Sequence, residues 1–392
     1  PQRTSVMIER DLKPGWKVWR FEQMATNVNV RIDNPSESGM EHYVGLEHLD
    51  TDSLKIRRWG TPDDVEATKL MFKKGDIIFG RRRAYQRKLG VAEFDGICSA
   101  HAMVLRAKPD VVLPEFLPFF MQSDLFMKRA VEISVGSLSP TINWKTMAIQ
   151  EFALPPIDEQ VRLVDLLQAI ERTTESHRKI GGSADRLVRS LLSDVLNREW
   201  PVVDLGSVVQ GTQYGLSINA GSDGQYPMLR MMNIEDGLCV ENDIKYVDLS
   251  EKDFEAYRLV DGDVLFNRTN SYELVGRTGV YELKGDHVFA SYLVRIKTVP
   301  EKLEPKFLTL YLNSDFGRRQ VLAYATKAVS QANVNASNLL RVRLPLPPLE
   351  VQKQLLEEIA CAKSAERAAM VRRSSAEEMK KQLLAKIAGD AE

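Results

Sequence analysis

The apolar positions of the chain follow one period through two long stretches and a different one through two others. Over residues 14–156 and 198–348, short β-branched runs are closed off by Gly, Asp or Asn, as in Asp76-Ile77-Ile78-Phe79 and Gly279-Val280-Tyr281. These predict the strands of mixed α/β domains. After Pro156 the spacing turns helical: Val161, Val164, Leu167, Ile170, Ile180, Leu187, Leu191 and Val195 fall on one face. After Pro348 the series Leu355, Ile359, Ala362, Ala369, Ala376, Leu383 and Ile387 does the same at heptad-like spacing. At 1.5 Å per residue a helix over 349–388 is on the order of 60 Å long. Two such helices, each with one apolar stripe, bury those stripes most simply by packing antiparallel on each other. Gly181-Gly182 is expected to interrupt or kink the first.

The alternation is a repeat. Trp16-Lys17-Val18-Trp19 is answered by Trp200-Pro201-Val202-Val203 at an offset of 184, and Tyr43-Val44-Gly45-Leu46 by Met228-Leu229-Arg230-Met231 at 185. Gly75-Asp76-Ile77-Ile78-Phe79 recurs as Gly262-Asp263-Val264-Leu265-Phe266 at 187, and Leu105-Arg106-Ala107-Lys108 aligns with Val294-Arg295-Ile296-Lys297 at 189. Ser123-Asp124 returns as Ser314-Asp315 at 191, and Leu154-Pro155-Pro156 with Gln160 as Leu346-Pro347-Pro348 with Gln352 at 192. An offset that only grows is the mark of small loop insertions in the second copy.

Composition narrows the class. The 392 residues suit two or three domains. A hydrophobic share of 44% and a charged share of 27% are those of an ordinary globular protein. No stretch approaches the roughly 20 apolar residues of a membrane span, and Pro1-Gln2-Arg3-Thr4 does not open a secretion signal, so a cytoplasmic location is expected. Cys98, Cys239 and Cys361 share no metal-ligand spacing and read as buried, inert thiols. The net charge of −1 does not exclude nucleic acid, which needs only a local basic face.

Catalytic motifs are missing. There is no phosphate loop, no GxGxxG after a strand, no HExxH and no GxSxG, and His42, His48, His101, His177 and His287 are scattered. Asn34-Pro35 is followed by Ser36-Glu37, not by the Pro and aromatic of an adenine methyltransferase motif. One nuclease-like pattern remains: Asp263 with Glu282-Leu283-Lys284, where two carboxylates would bind Mg²⁺ and the lysine polarise water. The first copy has Ala92-Glu93-Phe94-Asp95 there, with no lysine.

Binding chemistry is present in both copies. Arg81, Arg82, Arg83, Tyr85, Arg87 and Lys88 crowd the segment after the strand that starts at Asp76. Arginine forks suit phosphate or a guanine edge, and the tyrosine can stack; a solvated charged hairpin is the plainer reading. The matching stretch of the second copy carries Arg268, Asn270, Tyr272 and Arg277, with Arg230 further upstream. A second polar cluster precedes each Pro-Pro element: Ser137, Ser139, Thr141 and Asn143, then Gln331, Asn333 and Asn335 within Ser330–Asn335. Asn and Gln suit adenine edges, while a turn or cap role stays open for each.

Two variable domains, each closing with Leu-Pro-Pro and a Gln four residues on (Leu154-Pro155-Pro156-Ile157-Asp158-Glu159-Gln160 and Leu346-Pro347-Pro348-Leu349-Glu350-Val351-Gln352), then running into a long helix, resemble the type I restriction-modification specificity subunit. The second element departs from the usual Glu-Gln with Val351-Gln352. The resemblance implies an N-terminal segment (1–13), two target recognition domains (14–156 and 198–348), and a central (157–197) and a C-terminal (349–392) spacer helix, paired like a coiled coil. It implies a non-catalytic reader of double-stranded DNA with no cofactor of its own. Two modification subunits would bind S-adenosylmethionine and methylate adenine N6, docking on the helices around Gln160, Leu167, Gln352 and Ile359. Restriction subunits would translocate and cleave DNA with ATP and Mg²⁺. A stand-alone DNA-binding regulator and a Mg²⁺-dependent nuclease are the alternatives.

Overall fold

A computed structural model of the chain describes residues 12–327 and 331–387. Most of the expected N-terminal segment, Ser330, and the last residues of the C-terminal helix region lie outside those described. The chain divides into two compact units, one of residues up to Ile180 with those from Ala368 onward, the other Gly181–Arg367.

In the first unit, Lys17–Arg20 pairs antiparallel with Glu151–Leu154, so the two ends of the α/β domain are stitched together just before the long helix departs. Between them stand two four-stranded sheets. One has the order Ala25–Val28, Met103–Ala107, Ile77–Phe79, Leu89–Val91; the other has Arg31–Ile32, Lys69–Phe72, Gly96–Ser99, Tyr43–Val44, with its last pair parallel. Ile77, Ile78 and Phe79 are all buried, because one sheet face meets the helices Phe116–Gln122 and Asp124–Glu132 and the other meets the second sheet. The second unit repeats the stitching and the first of these ladders, extended by Leu238–Cys239 and Ile234–Glu235 to six strands. Val202–Asp204 pairs with Arg343–Pro345, and Val209–Tyr214, Leu293–Thr298, Val264–Asn267 and Thr278–Val280 lie in the order of their counterparts.

Strand register places the insertions. Ile77 faces Leu105 and Val91; Val264, 187 residues on from Ile77, faces Ile296 and Val280. Leu105 therefore corresponds to Ile296, 191 on, and the sequence alignment of Leu105 with Val294 is two residues short. Val91 and Val280 are 189 apart, so one two-residue insertion falls in the turn after Val280, which holds Glu282 and Lys284. Another falls between Phe79 and Leu89, in the basic loop. Framework strands keep their pairing and the insertions sit in the loops, where added length costs little.

Each long helix is locked to its domain by one glutamine. Gln160 is 1% exposed; its Oε1 accepts from Leu113 N at 2.9 Å and its Nε2 donates to Pro155 O at 2.9 Å and Val111 O at 3.3 Å. Gln352, 0% exposed, accepts from Glu304 N at 3.0 Å and donates to Pro347 O at 2.8 Å and Lys302 O at 2.9 Å. Only a neutral amide offers an acceptor and a two-hydrogen donor to satisfy both kinds of backbone group in a dry site. The odd Val351 is also explained. Glu159 accepts from the Trp16 indole at 3.2 Å, whereas Trp200, its counterpart, donates to Val195 O at 2.8 Å and needs no carboxylate at position 351.

The helices run Ile157–Leu196 and Leu349–Ile387. In the first unit Val164 and Leu167 share a core with Leu384 and Ile387, and in the second Leu192, Val195 and Leu196 share one with Leu355 and Ile359, an antiparallel pairing. Gly181-Gly182 does not interrupt the helix. A Cβ on Gly181 would meet nothing, so the residue answers no packing need, and the intrinsic cost of two glycines is small beside the cooperative hydrogen bonding of a 40-residue helix. The stripe is narrower than the sequence pattern: Val161, Ile180 and Leu187 are exposed, because a 3.6-residue turn drifts off a strict seam. Cys98 and Cys239 are buried, but Cys361 is exposed, off the stripe marked by Ile359 and Ala362.

Polar contacts also tie helix to domain. Glu175 binds Arg178 on its own helix at 2.7 Å and Arg57 of the first domain at 2.8 Å, and these two guanidiniums hold its carboxyl at about 2. Its stabilising contribution is complete above the ordinary 4.5 and is lost as pH falls toward about 2. Glu175→Gln is expected to be less stable than the wild type at pH 7, with the urea midpoints of the two converging as pH is lowered from 5 toward about 2. Gln160→Leu, which orphans one buried N–H and two carbonyls, should cost about 3 kcal/mol in urea unfolding, and Gln352→Leu a similar amount.

Candidate nucleic-acid interface

Where the buried strand Ile77–Phe79 ends, the chain enters a loop held from both sides. Ile142 N donates to Arg81 O at 3.0 Å, Arg83 N to Pro140 O at 2.8 Å, and Arg82 bridges to Thr141, so the basic segment and the Ser137–Asn143 segment form one platform. The second domain repeats the join. Val334 N donates to Arg268 O at 2.9 Å, and Thr269–Asn270 pairs with Ala332–Asn333. Arg81 and Arg268 thus occupy the same place, and each is half-buried with an Nε that has no partner among the described residues. Ile142 and Val334, both 0% exposed, pin the platform to the core.

Around this shared arginine the side chains differ. In the first domain Arg81 donates to Ala100 O at 3.0 Å, Arg82 contacts the His101 ring at 3.0 Å, and Arg83 is exposed and reaches Ser139 Oγ at 3.3 Å. Burial, then the charges of Arg82 and Arg81, pull the His101 pKa down, which favours a neutral ring beside Arg82. Tyr85 is 55% exposed at the turn crest. In the second domain Arg268 lies 4.8 Å from the Tyr214 ring and donates to Asn333 Oδ1 at 3.3 Å, while Asn333 donates to Thr269 Oγ1 at 2.6 Å. Arg277, Tyr272 and Gln331 are exposed, Asn270 partly so. Sequence reasoning missed Tyr214, which aligns the arginine by cation–π contact from the strand Val209–Tyr214, and His101, in the turn before Met103–Ala107.

Several candidates are committed elsewhere. Arg87 sits at φ 52° and donates to Asp52 at 2.5 Å, Asp124 at 2.9 Å and Gln122 O at 2.6 Å, which makes it a brace of the loop. Lys88 donates to Leu46 O at 2.6 Å, and Arg230 is held by Asp243. Asn335 caps Ala336–Leu339 by accepting from Asn338 N at 2.7 Å, and Asn143 precedes Trp144–Ala148 without a side-chain capping bond. Gln160, Leu167, Gln352 and Ile359 are all buried, so they carry the helix–domain joints, and the exposed apolar side chains on the helices include Val161, Leu166, Ile180, Leu187, Met370 and Val371.

The nuclease pattern does not assemble. Asp263 is 3% exposed, accepts from Val260 N at 3.1 Å and contacts Arg295 at 3.4 Å, while exposed Glu282 pairs with Lys306 at 2.7 Å. Burial pushes the Asp263 carboxyl up, against the pull of Val260 N–H and Arg295. Its counterpart Asp76 makes the same bond to Lys73 N at 2.8 Å and binds Arg106, so this aspartate is a structural feature of both copies. Among the described residues no group of His, Cys, Asp or Glu is placed to hold a metal ion, and no helix is long and apolar enough to cross a membrane.

Two copies of one α/β module, each with an arginine-bearing platform and each locked to a long helix, define a duplicated recognition protein. The chain belongs to the type I restriction modification DNA specificity family, whose domain it matches twice, at residues 43–181 and 197–359. It is 34% identical over 161 residues to a putative type I restriction enzyme specificity subunit of Methanocaldococcus jannaschii, a match over 40% of this chain and 38% of that one. To the EcoKI specificity subunit of Escherichia coli it is 22% identical, over 89% of this chain and 82% of that one. Its fold is shared with the S subunit of M. genitalium (TM-score 0.61, 12% identity, 97% and 99% coverage) and with a chain of a solved type I system (0.57, 22%, 97% and 99%).

The two kinds of arginine separate by experiment. Arg87→Ala should lower stability by about 2 kcal/mol, since it strands the carbonyl of buried Gln122, whereas Arg83→Ala should leave the unfolding midpoint unchanged.

Proposed function

We propose that this chain is the sequence-reading subunit of a type I restriction-modification complex, acting in the cytoplasm. Each α/β domain reads one half of a bipartite duplex DNA target, and the paired helices set the unread spacer. The observation that carries this reading is the platform formed twice by the same backbone bonds and furnished with different side chains. The common arginine, Arg81 or Arg268, suits what both half-sites share, the phosphate backbone, and the differing neighbours suit what they do not, the base edges. Half-site separation then follows helix geometry, at roughly 34 Å per turn of DNA.

On this reading two modification subunits pack on the helices, where Val161, Leu166, Ile180, Leu187, Met370 and Val371 leave apolar surface exposed. They bring S-adenosylmethionine and flip the target adenine out for methylation at N6, and restriction subunits bring ATP and Mg²⁺. This chain supplies position and specificity and holds none of these groups.

Single-molecule methylation sequencing of host DNA with and without the gene tests the reading. A bipartite adenine-methylation motif that disappears on deletion is the expected result. An unchanged methylome in cells that express the chain and its modification partner would favour a stand-alone DNA-binding regulator. Replacing Arg81, Arg82 and Arg83 together with alanine should degrade one half of the motif and leave the other intact.

A further inference from the structure

The loop that closes the first platform carries an apolar side chain with no structural task. Val135 and Thr141 exchange backbone hydrogen bonds, each 3.0 Å, and so tie off Gly136–Pro140 as a short arch. At its crest Leu138 is 90% exposed, the most exposed large hydrophobic residue among the described residues, and Val135 at its foot is 71% exposed. The arch is not free to fold Leu138 back onto the protein. Thr141 is bridged to Arg82, Pro140 O accepts from Arg83 N, and Ser139 Oγ accepts from Arg83. Gly136, at φ 115°, makes the turn into the arch. A leucine held in water on a braced loop gives up the burial its side chain would gain elsewhere, which is accounted for when another surface covers it.

That surface is identified by what surrounds the leucine. Arg83 is exposed and joined to the residue next to Leu138, and the neighbouring backbone of Arg83 is itself held at φ 58°, a left-handed conformation unusual for arginine. A cation beside a projecting aliphatic group matches a nucleic acid, in which phosphates flank stacked bases and thymine methyl groups.

Resting on the DNA-reading role above, we propose that Leu138 is a specificity residue of the first domain, making direct apolar contact with the bases of its half-site while Arg83 neutralises the adjoining phosphate. The two side chains then differ in kind. Loss of the phosphate contact weakens binding to every sequence and lowers the salt dependence by about one ion. Loss of an apolar base contact weakens binding to the cognate sequence alone and leaves the salt dependence as it was.

The test uses the assembled complex of this chain with its modification subunits, and duplexes carrying either the methylated motif's sequence or a scrambled one, titrated at several salt concentrations. Leu138→Ala is expected to weaken cognate binding about tenfold, or about 1.4 kcal/mol, to change scrambled-DNA binding less than twofold, and to keep the wild-type salt slope; Leu138→Met should restore most of the loss. Arg83→Ala should weaken both duplexes and flatten the slope. Equal affinities for wild type and Leu138→Ala on the cognate duplex, or a parallel loss on both duplexes, would overturn the assignment and leave the reading role standing. A Leu138→Ala chain that fails to assemble with the modification subunits would make this a protein contact and overturn it as well. A wild-type complex that does not prefer the motif would remove the reading role itself.

Discussion

Everything in this molecule hangs on how a domain is joined to its helix, and that joint is a buried primary amide. Gln160 and Gln352 each satisfy one backbone N–H and two carbonyls at the point where the α/β domain ends and the long helix starts. In a dry site such bonds hold orientation as well as position, because any rotation of helix against domain strands several polar groups at once. The Leu-Pro-Pro element delivers the chain to this joint: its prolines donate no N–H bonds, and Pro155 and Pro347 present the carbonyls that the amides take up.

From that fixed joint the domain is built outward as a framework with replaceable edges. The four-stranded ladder built around Ile77–Phe79 matches its counterpart around Val264–Asn267 pair for pair, and the differences in length fall in turns such as the one after Val280 and the segment between Phe266 and Thr278. A one-residue slip within a strand would turn its buried face to solvent, so strands resist insertion; a surface loop absorbs it at small entropic cost. The buried aspartates Asp76 and Asp263 and the serine caps Ser123 and Ser314 belong to the framework.

Much of the candidate interface was legible as residue types in the right segments, Arg81–Arg83 and Arg268 among them. Which of those residues remain available was not. Arg87 and Arg230 carry the same guanidinium as Arg83, but carboxylates distant in sequence, Asp52, Asp124 and Asp243, claim them. Asn335 and Asn333 have the same amide, and one caps a helix while the other holds an arginine and a threonine. Leu138 reads along the chain as a lone aliphatic residue among serines, since a sequence does not reveal that a leucine lacks a core to enter.

By itself the sequence determined the duplication, the α/β character of each domain, the two helices and their antiparallel pairing, because these follow from apolar period and from repeated motifs, which are properties of neighbours along the chain. Tertiary structure alone decided the correspondence of Leu105 with Ile296, the continuity of the helix through Gly181-Gly182, and the burial of Gln160, Leu167, Gln352 and Ile359. It also decided the assembly of each platform from segments more than fifty residues apart. Those outcomes depend on which surfaces meet, and a side chain's chemistry is set by the partners that folding brings to it.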